Sequence, residues 1–142
     1  MKQLLLAICV TAISVLSVQA QGNKNAPRFE FSDGVSHDFG TVPEGPEVTH
    51  YFEFKNVGKE PLIIQSVTAS CGCTSPDWPK QPILPGKTSK IKVVYSTDHR
   101  VGTFNKDIFI KSNAANPDDK EVFELHIKGN VTAKPTDSDK KS

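Results

Sequence analysis

Three stretches of the chain alternate apolar and polar residues with a period of two. Val48, His50, Phe52 and Phe54 interleave with Thr49, Tyr51, Glu53 and Lys55; Ile91, Val93 and Tyr95 interleave with Lys90, Lys92 and Val94; Phe123, Leu125 and Ile127 interleave with Val122, Glu124, His126 and Lys128. Successive side chains of a strand point to opposite faces, so this pattern predicts half-buried β-strands. Phe104, Ile108 and Ile110 share a face with Lys106 as the exception, and Leu62-Ile63-Ile64 running to Val67 is more continuously apolar. Short strands around Phe29 to Phe31 and Val35 to Phe39 complete a count of about seven. No window carries the 3.6-residue period of a helix.

Turn residues fall between these stretches: Pro43-Glu44-Gly45, Asn56-Val57-Gly58, Pro85-Gly86-Lys87, and Asn113 through Asp119 with Pro117. Gly supplies positive φ, Pro fixes φ, and Asn and Asp bond their own backbone, so each cluster ends a strand by its own chemistry. Short strands at this spacing, in about 100 residues, predict an all-β fold, a mostly antiparallel immunoglobulin-like β-sandwich in which each sheet buries one face against the other. A single such domain, residues 29–132, fits a chain of 142 residues and excludes a large multidomain enzyme.

The first twenty residues stand apart. Met1-Lys2 is a short basic start, residues 4–18 are apolar except for Thr11, Ser14 and Ser17, and Val18-Gln19-Ala20 supplies small or permissive residues for cleavage. Residues 1–20 therefore read as a secretory signal peptide, too short in its apolar run to span a bilayer, with no membrane span expected in the mature chain. Residues 21–28 are expected to be a linker, and residues 133–142, polar and mixed in charge, a disordered tail. Cleavage after Ala20 leaves 122 of the 142 residues and, with Lys2 gone, 16 basic against 16 acidic side chains. Nucleic-acid binding is discounted, because phosphate neutralisation needs a basic excess or cluster that this chain lacks.

Cleavage also removes Cys9, so the mature chain keeps only Cys71 and Cys73, in Cys71-Gly72-Cys73-Thr74. In an oxidising compartment two thiols one Gly apart have several fates. They pack as small apolar groups or form a local disulfide, which requires the chain to turn, as Gly72 permits. A bridge that is easily reduced makes the pair a redox site. Cys71 and Cys73 are also the only candidate metal ligands, for copper or zinc, although no further Cys or paired His follows at ligand spacing. His37, His50, His99 and His126 are scattered, and nothing in the alternation brings His50 and His126 together.

Other motifs carry less. Gly86-Lys87-Thr88 resembles the end of a phosphate-binding loop, but Gln81 stands where its first Gly belongs and no helix follows. Ser, His and Asp occur without a Gly-x-Ser-x-Gly nucleophile turn, so no catalytic site is read and no cofactor is expected. The segment Thr74 to Pro82 is read as a loop that carries Trp78, the only Trp, between Asp77 and Pro79. An aromatic held beside a proline is a low-entropy contact surface, so Asp77 and Trp78 are candidate partner contacts; the competing reading folds Trp78 back over the core.

The order His37-Asp38-Phe39-Gly40, Val42-Pro43-Glu44-Gly45, Phe52 through Gly58, Pro61-Leu62-Ile63-Ile64, Cys71-Gly72-Cys73-Thr74 and Leu84-Pro85-Gly86 resembles the bacterial domain of unknown function family 1573, over roughly Phe29 to Thr132. The resemblance implies an exported protein with an immunoglobulin-like domain related to the Hydin and major-sperm-protein group, and it implies no activity. The sequence thus leads to an exported, non-enzymatic binding or scaffolding module of the bacterial envelope. Its expected partner is a protein, reached by an edge strand or the segment around Trp78. The alternative is a thiol-dependent role, redox or soft-metal handling, carried by Cys71 and Cys73.

Overall fold

The computed structural model describes residues 22–135; the expected signal peptide and the tail from residue 136 onward lie outside the described residues. The strands are β1 (Phe29–Phe31), β2 (Ser36–Pro43), β3 (Val48–Asn56), β4 (Ile64–Ala69), β5 (Thr74–Asp77), β6 (Thr88–Tyr95), β7 (Gly102–Ser112) and β8 (Val122–Thr132). They form two four-stranded sheets, β1-β3-β6-β5 and β2-β8-β7-β4. The described chain is all-β apart from one 3₁₀ turn at Pro117–Asp119, inside the segment expected to be a turn.

The core follows from the alternation. Phe52, Phe54, Ile91, Val93, Tyr95, Phe104, Ile108, Ile110, Leu125 and Ile127 all turn inward and are buried between the sheets. Each such side chain contributes roughly 1.5–3 kcal/mol on burial, most of it offset by the entropy of ordering the chain. At one end of the sandwich Phe29, Phe31, Phe54 and Phe123 form an aromatic cluster with ring centroids 5.1 to 5.7 Å apart.

The structure adds four details to the expected sandwich. The sheets hold eight strands where about seven were expected, because the segment read as a loop from Thr74 to Pro82 begins with strand β5, paired with β6 from Thr74↔Tyr95 to Asp77↔Lys92. A Pro at 76 argues against a central strand, but β5 is an edge. Cys73 O accepts from Ser96 N–H at 2.9 Å, so by alternation Pro76 turns its nitrogen away from β6 and no ladder bond is lost.

The sandwich is antiparallel except at β2, which runs parallel to β8. The chain changes sheets between β1 and β2 through a turn in which Gly34 has φ +80°, and this switch reverses the pairing sense. The contiguous Leu62-Ile63-Ile64 run is two buried residues flanking the exposed Ile63, and a register shift between Ile64 and Ser66 then makes Val67 rather than Ser66 the next buried position. A bulge of this kind moves the inward phase by one residue.

The segment 21–28, expected as a linker, is part of the fold in its described residues. Ala26 and Pro27 are buried, Val57 N–H donates to Arg28 O, Lys59 N–H to Asn25 O and Ala115 N–H to Pro27 O. Gly58 makes this crossing possible, since a Cβ there would collide with the backbone of Ala26 and Pro27.

Candidate functional site

Cys71 and Cys73 lie in the short connection by which the chain leaves β4 in one sheet and enters β5 in the other. They are joined as a disulfide, with Cα atoms 5.3 Å apart. The turn is anchored at both ends: Ser70 N–H donates to Asp107 O on β7, and Ser96 N–H donates to Cys73 O, each at 2.9 Å. Thr74 N–H reaches back to Cys71 O at 3.4 Å, closing a four-residue turn around Gly72. This compact turn brings the sulfurs within bonding reach, which an extended strand holding residues two apart does not favour.

The two cysteines differ in environment. Cys73 is 5% exposed and belongs to the core, whereas Cys71 is part-exposed. Thr74, also buried, sets its Oγ1 3.6 Å from Cys71 Sγ and 3.9 Å from Cys73 Sγ. By the chain-entropy relation, a bridge closing a ring of three residues stabilises the fold by only about 1.5 kcal/mol, against about 3 kcal/mol for a 15-residue loop. Both sulfurs are engaged in the bridge, so neither is a thiolate in this state. Among the described residues no three His, Cys, Asp or Glu side chains converge as metal ligands.

Asp77 and Trp78 lie at the end of β5. Trp78 packs in part against the core and in part lines a shallow cleft of 330 Å³ with Tyr51, Asp77, Pro79, Ser89, Lys90 and Lys92, on the outer face of the β1-β3-β6-β5 sheet. One part of the Trp78 surface covers the core and another lines the cleft. Register places Tyr51 opposite Lys92 and Lys92 opposite Asp77. Two ammonium groups sit over rings: Lys80 Nζ lies 3.0 Å from the centroid of Trp78 and Lys90 Nζ 4.5 Å from that of Tyr51. The exposed Lys80–Asp77 pair, at 3.6 Å, adds little to stability.

The histidines scattered in sequence are not all scattered in space. His37 of β2 stacks on His50 of β3 with centroids 3.6 Å apart and planes within 7°. Burial first, and then the His37 imidazole, lower the pKa of His50 from 6.5, with Asp33 pulling the other way. His126 Nδ1 lies 2.7 Å from Asp107 Oδ1 on the outer face of the other sheet. Ser70 Oγ accepts from Asp107 N–H at 3.1 Å and makes no bond to His126, so the three do not form a nucleophile relay. His50 and His126 belong to different sheets. The His37–His50 contact was missed, because it joins strands of opposite sheets through a sheet switch that periodicity does not reveal.

The profile of one family, described as proteins of unknown function (DUF1573), matches residues 29–131. The chain belongs to the DUF1573 family. The match agrees with the resemblance carried by the His-Asp-Phe-Gly and Cys-Gly-Cys-Thr motifs. Among curated proteins none matches the sequence.

Solved structures share the fold of this DUF1573 domain. PapD-like domain 7 of human CEP192 superposes with a TM-score of 0.64 at 11% identity, over 87% of this chain and 98% of that one. A protein of unknown function from Porphyromonas gingivalis W83 gives 0.62 at 21% identity, over 78% of this chain and 50% of that one, so the chain spans half of that protein's length. The VesB protease of Vibrio cholerae gives 0.57 at 14% identity, over 75% of this chain but only 32% of the protease. At these identities the likeness is one of fold. Among the described residues, no helix is long and apolar enough to cross a membrane.

Proposed function

We propose that this DUF1573 domain is an exported, non-enzymatic binding module of the bacterial envelope that engages an acidic segment of a partner protein at the cleft beside Trp78. The observation that supports this reading is the pairing of aromatic rings with ammonium groups there. Tyr51 and Trp78 each carry a lysine over the ring, and Lys92 stands between them on the central strand β6. Rigid aromatics offer contact area at low entropic cost, and ammonium groups steer and orient carboxylates. Tyr51 is 43% exposed, which is high for an aromatic ring on the flat face of a sheet. Among the described residues no strained nucleophile or convergent catalytic group accompanies the cleft, which favours binding over catalysis.

The test is site-specific photo-crosslinking in bacterial cells producing the full chain. A crosslinker at position 51 is expected to trap a protein, and one at position 124 on the opposite sheet is not. Trp78→Ala and the double substitution Lys90→Glu with Lys92→Glu are expected to abolish the crosslink while the far-ultraviolet circular dichroism is unchanged. Equal trapping at both positions, or trapping indifferent to the charge reversal, would overturn the assignment. Fractionation of the same cells, with the intact mass of the product, checks export and cleavage after Ala20; recovery of the uncut chain in the cytoplasm refutes the location.

A further inference from the structure

We propose that the Cys71–Cys73 bridge is a thiol–disulfide exchange site that accepts two electrons from the dithiol of an exported protein, independently of the binding cleft. Four observations converge on it. The turn lies at the edge of the sandwich, and among the described residues no atom beyond Gly72 and its neighbours Cys71 and Cys73 lies within 4 Å of the position a Cβ would take at Gly72, so the tip of the turn is open to an approaching chain. Part-exposed Cys71 and buried Cys73 make the pair asymmetric, which directs attack to Cys71 Sγ and makes Cys73 the leaving sulfur. Thr74 Oγ1 has only these two sulfurs as hydrogen-bond neighbours among the described residues. Finally, Ser70 is tied to Asp107 of β7 and Cys73 to Ser96, just after β6, through the backbone, so opening the bridge leaves the ends of the turn in place and the sulfurs near each other for reclosure.

The exchange balances as follows. A thiolate of the partner attacks Cys71 Sγ; a new sulfur–sulfur bond forms, the Cys71–Cys73 bond breaks, and Cys73 leaves as a thiolate. The partner's second thiolate then attacks its own sulfur in the mixed disulfide and releases Cys71. The partner gains a disulfide, this chain gains two thiols, and the two protons lost by the partner's thiols end on Cys71 and Cys73. A leaving thiolate at a buried position is disfavoured by desolvation. The Thr74 hydroxyl opposes that penalty, because a thiolate is a far better acceptor than a disulfide sulfur and the hydrogen bond strengthens as the bond breaks.

The test uses the mature chain oxidised and purified without reductant. It is equilibrated in mixtures of reduced and oxidised glutathione, trapped with a thiol-reactive reagent and resolved by mass; in parallel, disulfide transfer to a reduced Cys-X-X-Cys probe peptide is followed in time. The bridge is expected to open and close reversibly within these mixtures with unchanged circular dichroism, and to oxidise the probe faster than an equal concentration of oxidised glutathione. Cys71→Ser is expected to abolish transfer, Thr74→Val to slow it about fivefold, and Thr74→Ser to restore it. A bridge that stays closed in every mixture, or transfer no faster than by glutathione, overturns the proposal. Loss of the β-sheet signal on reduction also overturns it, since the bridge would then be a structural staple. A Thr74→Val rate equal to that of the parent removes the role given to Thr74.

Discussion

Four backbone groups converge on the side chain of Asn56, a fully buried polar residue at the end of β3. Its Oδ1 accepts from the N–H of Arg28 and Gly58, and its Nδ2 donates to the carbonyls of Glu60 and Ile83, at 2.8 to 3.3 Å. One amide thus joins the N-terminal segment, the β3–β4 turn and the approach to β6. Asn56→Ala removes all four bonds and leaves buried groups unpaired, so it is expected to cost about 3 kcal/mol, read as a lower midpoint in urea at unchanged slope. Asn56 stands in phase with Phe52 and Phe54, so its inward direction was legible in the alternation. Its distant partners were not, because Arg28 and Ile83 lie 28 and 27 residues away and only the folded chain assembles them with Gly58 and Glu60. Thr97 is a second case: its hydroxyl donates to Pro46 O at 2.7 Å and accepts from Gly45 N–H at 2.9 Å, locking a distant turn.

Among the elements, the edge strands and the crossover between sheets carry the features that matter. β5 presents Pro76 on its free edge, where a missing N–H denies a pairing site to another chain, and on β2 the Asp38 carboxylate takes up the N–H of Gly40 at 2.8 Å. The motif His37-Asp38-Phe39-Gly40 thereby acquires a local meaning. Asp38 and the positive φ of Gly40 form an irregularity in the β2–β8 register, and the Phe39 ring comes to 6.2 Å from that of Phe104. At the β4–β5 crossover the small disulfide ring adds little to the fold. The double substitution Cys71→Ala with Cys73→Ala is expected to lose about 1.5 kcal/mol and to keep a cooperative transition, checked by urea unfolding against the oxidised parent. A loss of 4 kcal/mol or more would instead make the bridge a principal support of the sandwich.

Across the whole molecule, the His37–His50 stack is a contact between the two sheets at the edge where the chain switches from one to the other. The His50 pKa is lowered in the folded state by burial and by His37, so below pH 6.5 the unfolded chain binds the proton more readily than the folded one. The contribution of neutral His50 is therefore fully present above 6.5, declines as pH falls below that value, and levels off beneath the folded-state pKa. His50→Phe keeps an aromatic in the stack and removes the titration. The difference in Tm between this variant and the parent is expected to move in favour of the variant as pH falls from 7.5 to 5; a difference constant over that range would contradict the assignment.

What the sequence by itself determined is the local physics: strand phases set by the two-residue period, turns set by Gly, Pro and Asn, and an immunoglobulin-like sandwich as the arrangement that buries one face of every strand. The Cys-Gly-Cys-Thr motif was also visible as the one concentration of reactive groups. What only the tertiary structure decided depends on contacts between residues far apart in the chain. The switch of the first edge between sheets, the bulge in β4, the strand role of Thr74–Asp77 and the docking of residues 22–28 each follow from long-range hydrogen bonds that no periodicity encodes. The same holds for the stacked imidazoles and for the cleft that joins Tyr51 to Trp78. Strand phase is fixed by neighbours two residues apart, whereas these sites depend on which sheet each strand joins.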